Sequence, residues 1–382
     1  MDNRNQLTNI VYGHYADYGS CYYDDNGSLV ALPLDASIMP GTTYCYDDEN
    51  RLVRWIYVDL AGGILGCDDP PADEAGRKRE FDYDGLGRMR IMREYLPGSD
   101  SHGNPIWVLS NERHYIYDGW RVIQERDSNN VPTVSYTRGT DLSGSLEGAG
   151  GIGGLLARSH GYSGGNWITN SYYFADGNGN VTSLLNSSQA AVAAYRYDAF
   201  GNLTGASGTL VWDNAYRFSS KESFASWFDD WYLHGELYYF GYRFYDPNLQ
   251  RWLNRDPLGD AALLNATLTE DRSFMLPSEY MADPNSYSFA QNDSVNSLDA
   301  IGLISFHWPA KTRCINKWSP PINGPMMCTA VSWKRSKTPN AGKLKMCVKY
   351  YEAALARAAA TGNYGNWKWA CSNLAVCYAK HY

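Results

Sequence analysis

Tyr83-Asp84-Gly85-Leu86-Gly87-Arg88-Met89 is a phrase this chain repeats. Tyr23-Asp24-Asp25-Asn26-Gly27-Ser28-Leu29, Tyr46-Asp47-Asp48-Glu49-Asn50-Arg51-Leu52 and Tyr197-Asp198-Ala199-Phe200-Gly201-Asn202-Leu203 keep its order. Ala175-Asp176-Gly177-Asn178-Gly179-Asn180-Val181 is a looser copy, and Tyr117-Asp118-Gly119-Trp120-Arg121-Val122 is one residue short. An aspartate at the first position of a type I turn accepts hydrogen bonds from the backbone ahead, and Gly or Asn three residues on tolerates φ > 0. Each phrase therefore predicts a hairpin tip, with the aromatic and the closing aliphatic on paired strands. The repeat aspartates are 23, 37, 34, 58 and 22 residues apart, so the units differ in length. A lone hairpin is marginal in water, whereas hairpins side by side bury a continuous face. The expectation is a mainly β fold, a curled antiparallel sheet. The alternative the same turns allow is an ordinary β-sandwich.

Composition sets the outer limits. A chain of 382 residues with 44% hydrophobic and 19% charged side chains is neither disordered nor a coiled coil, and has length for two or three domains. Its 31 Tyr, 13 Trp and 36 Gly favour strands and tight turns. No apolar run approaches the ~20 residues of a membrane helix, so no membrane span is expected. Met1 to Gln6 carries neither a basic n-region nor an apolar h-region, and no signal peptide is visible. A protein of this kind that leaves its cell is carried by other means, or this chain is the end of a longer one.

Charge divides the chain. From Ile304 to Tyr382 there are twelve Lys or Arg against Glu352 alone, a balance of +11, while the preceding residues carry −19. Asymmetry of this size points to separate roles for the two parts. The cysteines split likewise: Cys21, Cys45 and Cys67 are scattered in the first part, and Cys314, Cys328, Cys347, Cys371 and Cys377 crowd the second. There is no C-x-x-C, hence no support for a zinc ribbon or a thioredoxin motif. Bridges and reduced core thiols both remain open, since compartment decides.

Two patterns suggest ligands. Gly148-Ala149-Gly150-Gly151-Ile152-Gly153 fits G-x-G-x-x-G, but it follows no clear strand and no βαβ pattern surrounds it, which favours a flexible glycine loop. Asp176, Asn178 and Asn180 resemble the start of a calcium loop, yet Gln189 stands nearest the place of the required distal glutamate. No cofactor and no metal site is expected.

From Arg217 to Leu303 the chain resembles the RHS repeat-associated core. The resemblance rests on Glu236-Leu237-Tyr238-Tyr239-Phe240-Gly241-Tyr242-Arg243-Phe244-Tyr245-Asp246-Pro247 and Arg251-Trp252-Leu253-Asn254-Arg255-Asp256-Pro257-Leu258-Gly259. It continues through Asn285-Ser286-Tyr287-Ser288-Phe289-Ala290-Gln291-Asn292-Asp293-Ser294-Val295-Asn296 and closes on Asp299-Ala300-Ile301-Gly302-Leu303. The upstream phrases are similar to the YD repeats that precede this core in the same proteins. The resemblance implies a hollow β-shell enclosing a C-terminal passenger, with residues 1–216 as YD-repeat shell, 217–303 as core and 304–382 as a variable toxin or effector domain. It implies that the core cuts the chain between Leu303 and Ile304, where charge and composition change.

The implied chemistry is aspartyl-protease-like. Two carboxylates share a proton, so that the ionised one activates water and the protonated one polarises the scissile carbonyl. Carried over residue by residue, the pair is Asp256 and Asp299, and Arg243 is the cation that holds a carboxylate in place and keeps it ionised. Without the resemblance, all three read as turn aspartates and a strand-bridging arginine. The chain departs from the family pattern at three places. Gln250 stands for the usual Gly in a turn that needs φ > 0, Ala300 stands for the usual Pro, and the connection from Asp260 to Pro284 is long.

The tail reads as a small α-rich or α+β domain, with helices over 344–361 and 367–379. Its charge is interleaved with Trp308, Trp318, Trp333, Trp367 and Trp369, which suits nucleic acid or another polyanion, and a nuclease would draw on His307, His381 and Glu352. A cationic tail is also attracted to an acidic shell without any nucleic acid. The resemblance further implies a polymorphic toxin, secreted or delivered at the cell surface, with a cognate immunity protein and a secretion-system component as partners. The contrasting expectation is a non-catalytic surface protein whose YD repeats bind partners or glycans.

Overall fold

The computed structural model describes residues 5–11, 18–32, 41–58, 65–71, 76–224, 236–256, 285–295, 297–302 and 305–307. The chain divides into two compact units, Met1–His307 and Trp308–Tyr382, and every described residue belongs to the first. The expected helices over 344–361 and 367–379, the α-rich or α+β tail domain and the 260–284 connection lie outside the described residues, as do Leu303 and Ile304.

Fourteen strands, from Tyr22–Tyr23 to Leu203–Ser207, form one antiparallel sheet in strict chain order. Each pairs with the strand before and the strand after it, and the two edge strands do not pair with each other. This excludes a sandwich, in which the chain crosses to a second facing sheet, and also a closed barrel.

The aspartates build the turns as expected. Asp84 donates its N–H to Arg88 O at 3.0 Å, and its carbonyl accepts from Gly87 N at 2.8 Å. Its Oδ1 accepts from the N–H groups of Leu86 and Arg88, both at 3.0 Å. Gly87 has φ 79, the left-handed conformation that closes a type I turn into a bulged hairpin. Asp24, Asp47, Asp176 and Asp198 repeat the backbone pattern, with Gly27, Asn50, Gly179 and Gly201 in the left-handed position. Three further turns, at Asp100, Asp127 and Asn186, use the same bonds without a tyrosine to announce them. In the last of these Gln189 has φ 63, so the residue nearest the calcium-loop glutamate position is a turn residue. Asp176 likewise spends both carboxylate oxygens on Asn178 and Asn180 of its own turn.

The tyrosines stitch one repeat to the next. Tyr46 donates its hydroxyl to Leu29 O at 3.0 Å, Tyr83 to Leu52 O at 2.6 Å and Tyr197 to Val181 O at 2.8 Å. In each case the acceptor is the closing aliphatic of the preceding phrase. Arg51 stacks over Tyr83 and Arg88 over Tyr117, at 5.0 and 5.1 Å from the ring centres. Leu29, Leu52, Met89, Val122 and Val181 are buried, each contributing roughly 1.5–3 kcal/mol.

What they pack against is the core segment. Glu222–Phe224, Leu237–Tyr239, Phe244–Asp246 and Arg251–Trp252 form a four-stranded sheet. Around it Phe218, Tyr238, Phe240, Tyr245, Trp252 and Phe289 make one buried aromatic cluster. All six phrases touch this segment. Tyr287 donates to Gly27 O, Asn254 to Asn50 O, and Tyr239 accepts from Met89 N. Trp120 stacks on Tyr242, Asn180 accepts from Ser219 N, and Tyr238 donates to Gly201 O. Fourteen flat strands would span roughly 60 Å. For turns from both ends of the sheet to meet so compact a segment, the sheet must curl around it. A Cys45–Cys67 bridge, with Cα atoms 5.9 Å apart, ties an early strand to the stretch that follows the next strand, and Cys21 is free.

Candidate active site

The three residues carried over from the RHS core meet in this segment. Arg243 follows the turn at Gly241, where φ is 106, and Phe240 N donates to Arg243 O at 3.0 Å. Arg243 is 3% exposed, and its guanidinium lies over the Trp252 ring at 4.2 Å. One nitrogen, Nη2, stands 2.9 Å from Asp256 Oδ2 and 3.7 Å from Asp299 Oδ2. Nη1 donates to Ser286 O at 3.1 Å, and Nε donates to Gly302 O. Asp256 and Asp299 are themselves 7% and 1% exposed. Two buried carboxylates thus face one guanidinium nitrogen, which offsets the cost of burying their charge.

Local structure aims Asp299. Ser297–Asp299 pairs antiparallel with Ser305–His307, in a register that sets Asp299 opposite Ser305. Asp299 Oδ1 accepts from Gly302 N at 2.7 Å and Ile301 N at 3.3 Å, while Tyr242 N donates to Ile301 O at 3.2 Å. Before residues 303 and 304 the Gly302 backbone is bonded to the Asp299 carboxylate and to Arg243, and after them Ser305 pairs with Asp299 across the ladder. Gln250 keeps the left-handed conformation, φ 58, that the family fills with glycine, so that departure leaves the turn intact.

Two features beside the site were missed in the sequence. Lys221 donates its Nζ to Ala300 O at 2.6 Å and Gly150 O at 2.8 Å. Burial pulls its pKa down to about 7, against the opposing pull of Asp299. Its signal was rarity: Lys78 and Lys221 are the only lysines before residue 304. The glycine loop, expected to be flexible, is instead docked. Asp141 Oδ2 accepts from Ala149 N and Gly151 N at 2.7 and 3.1 Å, and Ala149 and Ile152 pack with Leu298. Next to Lys221 in sequence, Glu222 meets Arg113 at 3.1 Å, and Arg113 also contacts Glu125 at 3.3 Å. One guanidinium neutralises one carboxylate, and burial then raises the pKa of Glu222 to about 7.

Comparison with known proteins gives a partial match. The chain is similar to tRNA nuclease WapA. It is 29% identical over 214 residues to the tRNA3(Ser)-specific nuclease WapA of Bacillus spizizenii, and 28% identical over the same length to tRNA nuclease WapA of Bacillus subtilis strain 168. The matched stretch is 55% of this chain but 7% of either relative, so the similarity concerns a small part of those proteins. No protein-family model matches. The crystal structure of TcdB2-TccC3 superimposes with a TM-score of 0.33 at 16% identity, over 75% of this chain and 17% of that one, too loosely to bear on the fold.

Proposed function

We propose that this chain belongs to an RHS-type polymorphic toxin, whose YD-repeat shell and core cut the chain once after Leu303 and free residues 304–382 as an effector. The observation that carries this reading is the single Arg243 nitrogen shared by Asp256 and Asp299, beside a turn whose Gly302 is bonded to both Arg243 and Asp299.

The reaction is a peptide hydrolysis in cis. The ionised aspartate takes a proton from water as its oxygen adds to the Leu303 carbonyl carbon, and the protonated aspartate gives its proton to the carbonyl oxygen. Collapse of the tetrahedral intermediate breaks the C–N bond. The Ile304 nitrogen leaves protonated as an amine, and Leu303 keeps a new carboxyl. Arg243 anchors the ionised partner and, through Nε, the carbonyl next to the scissile one.

The balance of +11 beyond residue 303, with its interleaved tryptophans, favours a polyanionic target such as RNA, in keeping with the tRNA nucleases to which the chain is similar. The Cys45–Cys67 bridge favours an oxidising destination, hence export through a secretion system; the toxin reading itself calls for an immunity protein to protect the producer. The test is the N-terminal sequence of fragments from the expressed chain. A new terminus at Ile304, absent in Asp256→Asn and Arg243→Met, supports the reading. A chain that stays whole, or fragments alike in all three, makes the shell a non-catalytic scaffold.

A further inference from the structure

Lys221 is an unusual side chain for its position. It is 7% exposed, and a buried ammonium is costly unless it is well bonded. Its two bonds go to backbone carbonyls that lie 150 residues apart in the sequence, Gly150 and Ala300. Under Ala300 the loop is shaped to fit: Gly150 has φ 62, and a Cβ there would stand 1.7 Å from Ala300 O. Next to it, Ala149 and Ile152 pack against Leu298. Leu298 and Ala300 are the two neighbours of Asp299. An apolar contact, a steric fit and an ammonium clamp thus converge on the two residues that flank one candidate catalytic carboxylate.

We propose that Lys221 and the 148–153 loop form a pedestal that orients Asp299 and the backbone of residues 300–302, with Lys221 as a positioning residue for the cut after Leu303. The proposal rests on the self-cleavage reading. Released from the clamp, the Ala300 peptide can rotate, and the Asp299 carboxylate moves with it. A misplacement of ~1 Å at a reacting centre costs on the order of 100-fold in rate. The ammonium is the clamping form. Asp299 and Asp141 favour it, while burial and Arg138 disfavour it, and Arg88, Arg121 and Glu222 line the same small cavity. Deprotonation near neutrality therefore loosens the clamp, and cleavage slows as pH rises past about 7.

The test follows loss of full-length chain after a cell-free synthesis pulse, with aliquots shifted to buffers between about pH 6 and 8.5. Wild type is expected to slow across that range. Lys221→Met is expected to cleave on the order of 100-fold more slowly at the acid end and to lose the pH dependence. Gly150→Ala, which displaces Ala300 but keeps the amine, is expected to be slow while retaining the dependence. Wild type that cleaves at one rate throughout, or variants that match its rate and profile, overturn the proposal. Asp256→Asn separates the two levels. If it blocks cleavage while both pedestal variants behave as wild type, the protease stands and the pedestal falls. If wild type does not cleave at all, both fall.

Discussion

Tyr287 donates its hydroxyl to the carbonyl of Gly27 at 2.7 Å, joining the core segment to the first repeat across 260 positions of sequence. Both groups are buried, and the same hydroxyl accepts from Gln6 Nε2 at 3.3 Å. The sheet is curled because a contact with the core segment recurs at every phrase, a hydrogen bond at five and the Trp120–Tyr242 ring stack at the sixth, and each one fixes a turn tip to a common centre.

Tyr287→Phe removes that bond and leaves the Gly27 carbonyl unsatisfied. The expected cost is about 1–3 kcal/mol, read from chemical denaturation of the intact chain. Gly27→Ala should cost more. Gly27 has φ 83, and a Cβ there would stand 2.6 Å from Tyr287 Oη. Equal stability of Tyr287→Phe and wild type would show that the first repeat is not held by the core.

Gln250 offers the opposite sign. It is exposed, with φ 58, in the turn that Asp246 closes by accepting from Asn248 N and Leu249 N. A left-handed conformation costs a non-glycine residue roughly 1–2 kcal/mol, and glycine returns part of that as entropy of the unfolded chain. Gln250→Gly should therefore stabilise by about 0.5–1 kcal/mol. A destabilised variant would show that the Gln250 side chain makes contacts worth more than the strain.

The pH dependence of stability follows from three buried groups. Burial raises the pKa of Glu222 and Asp246 to about 7, while Lys221 is lowered to about 7. Between the ordinary carboxyl range and pH 7 the folded protein holds protons on Glu222 and Asp246 that the unfolded chain has released. Their contribution is complete at acid pH and fades as pH rises towards 7. Between about 7 and the ordinary lysine range the unfolded chain binds a proton at Lys221 that the folded one lacks, so stability climbs again. Melting temperature is expected to pass through a shallow minimum near neutrality. Glu222→Gln, which mimics the protonated acid, should flatten the acid side, and an unchanged profile would refute the assignment.

The hairpins were legible because each tip needs an aspartate and a left-handed residue at a fixed offset, and that chemistry is visible in one sequence. The turns at Asp100, Asp127 and Asn186 were not, since no tyrosine precedes them, and at Asn186 neither the aspartate nor the Gly or Asn three residues on is present. The reason for tyrosine rather than phenylalanine was also hidden, because the acceptor of Tyr83 is a backbone carbonyl in another repeat. Arg243, Asp256 and Asp299 came from resemblance alone. Their spacing, 13 and 43 residues along the chain, carries no local pattern, and only the fold brings them together. Lys221 and the glycine loop escaped for the same reason, as each makes sense only beside Ala300.

The most direct measurement is the intact mass of the purified chain under denaturing conditions, which separates a cut tail even if it stays bound. Wild type is expected to give two species whose masses place the break after Leu303, and Asp299→Asn a single species at 42.8 kDa. A single 42.8 kDa species for wild type as well would contradict the account: the buried Arg243, Asp256 and Asp299 would then hold the shell together without cutting it.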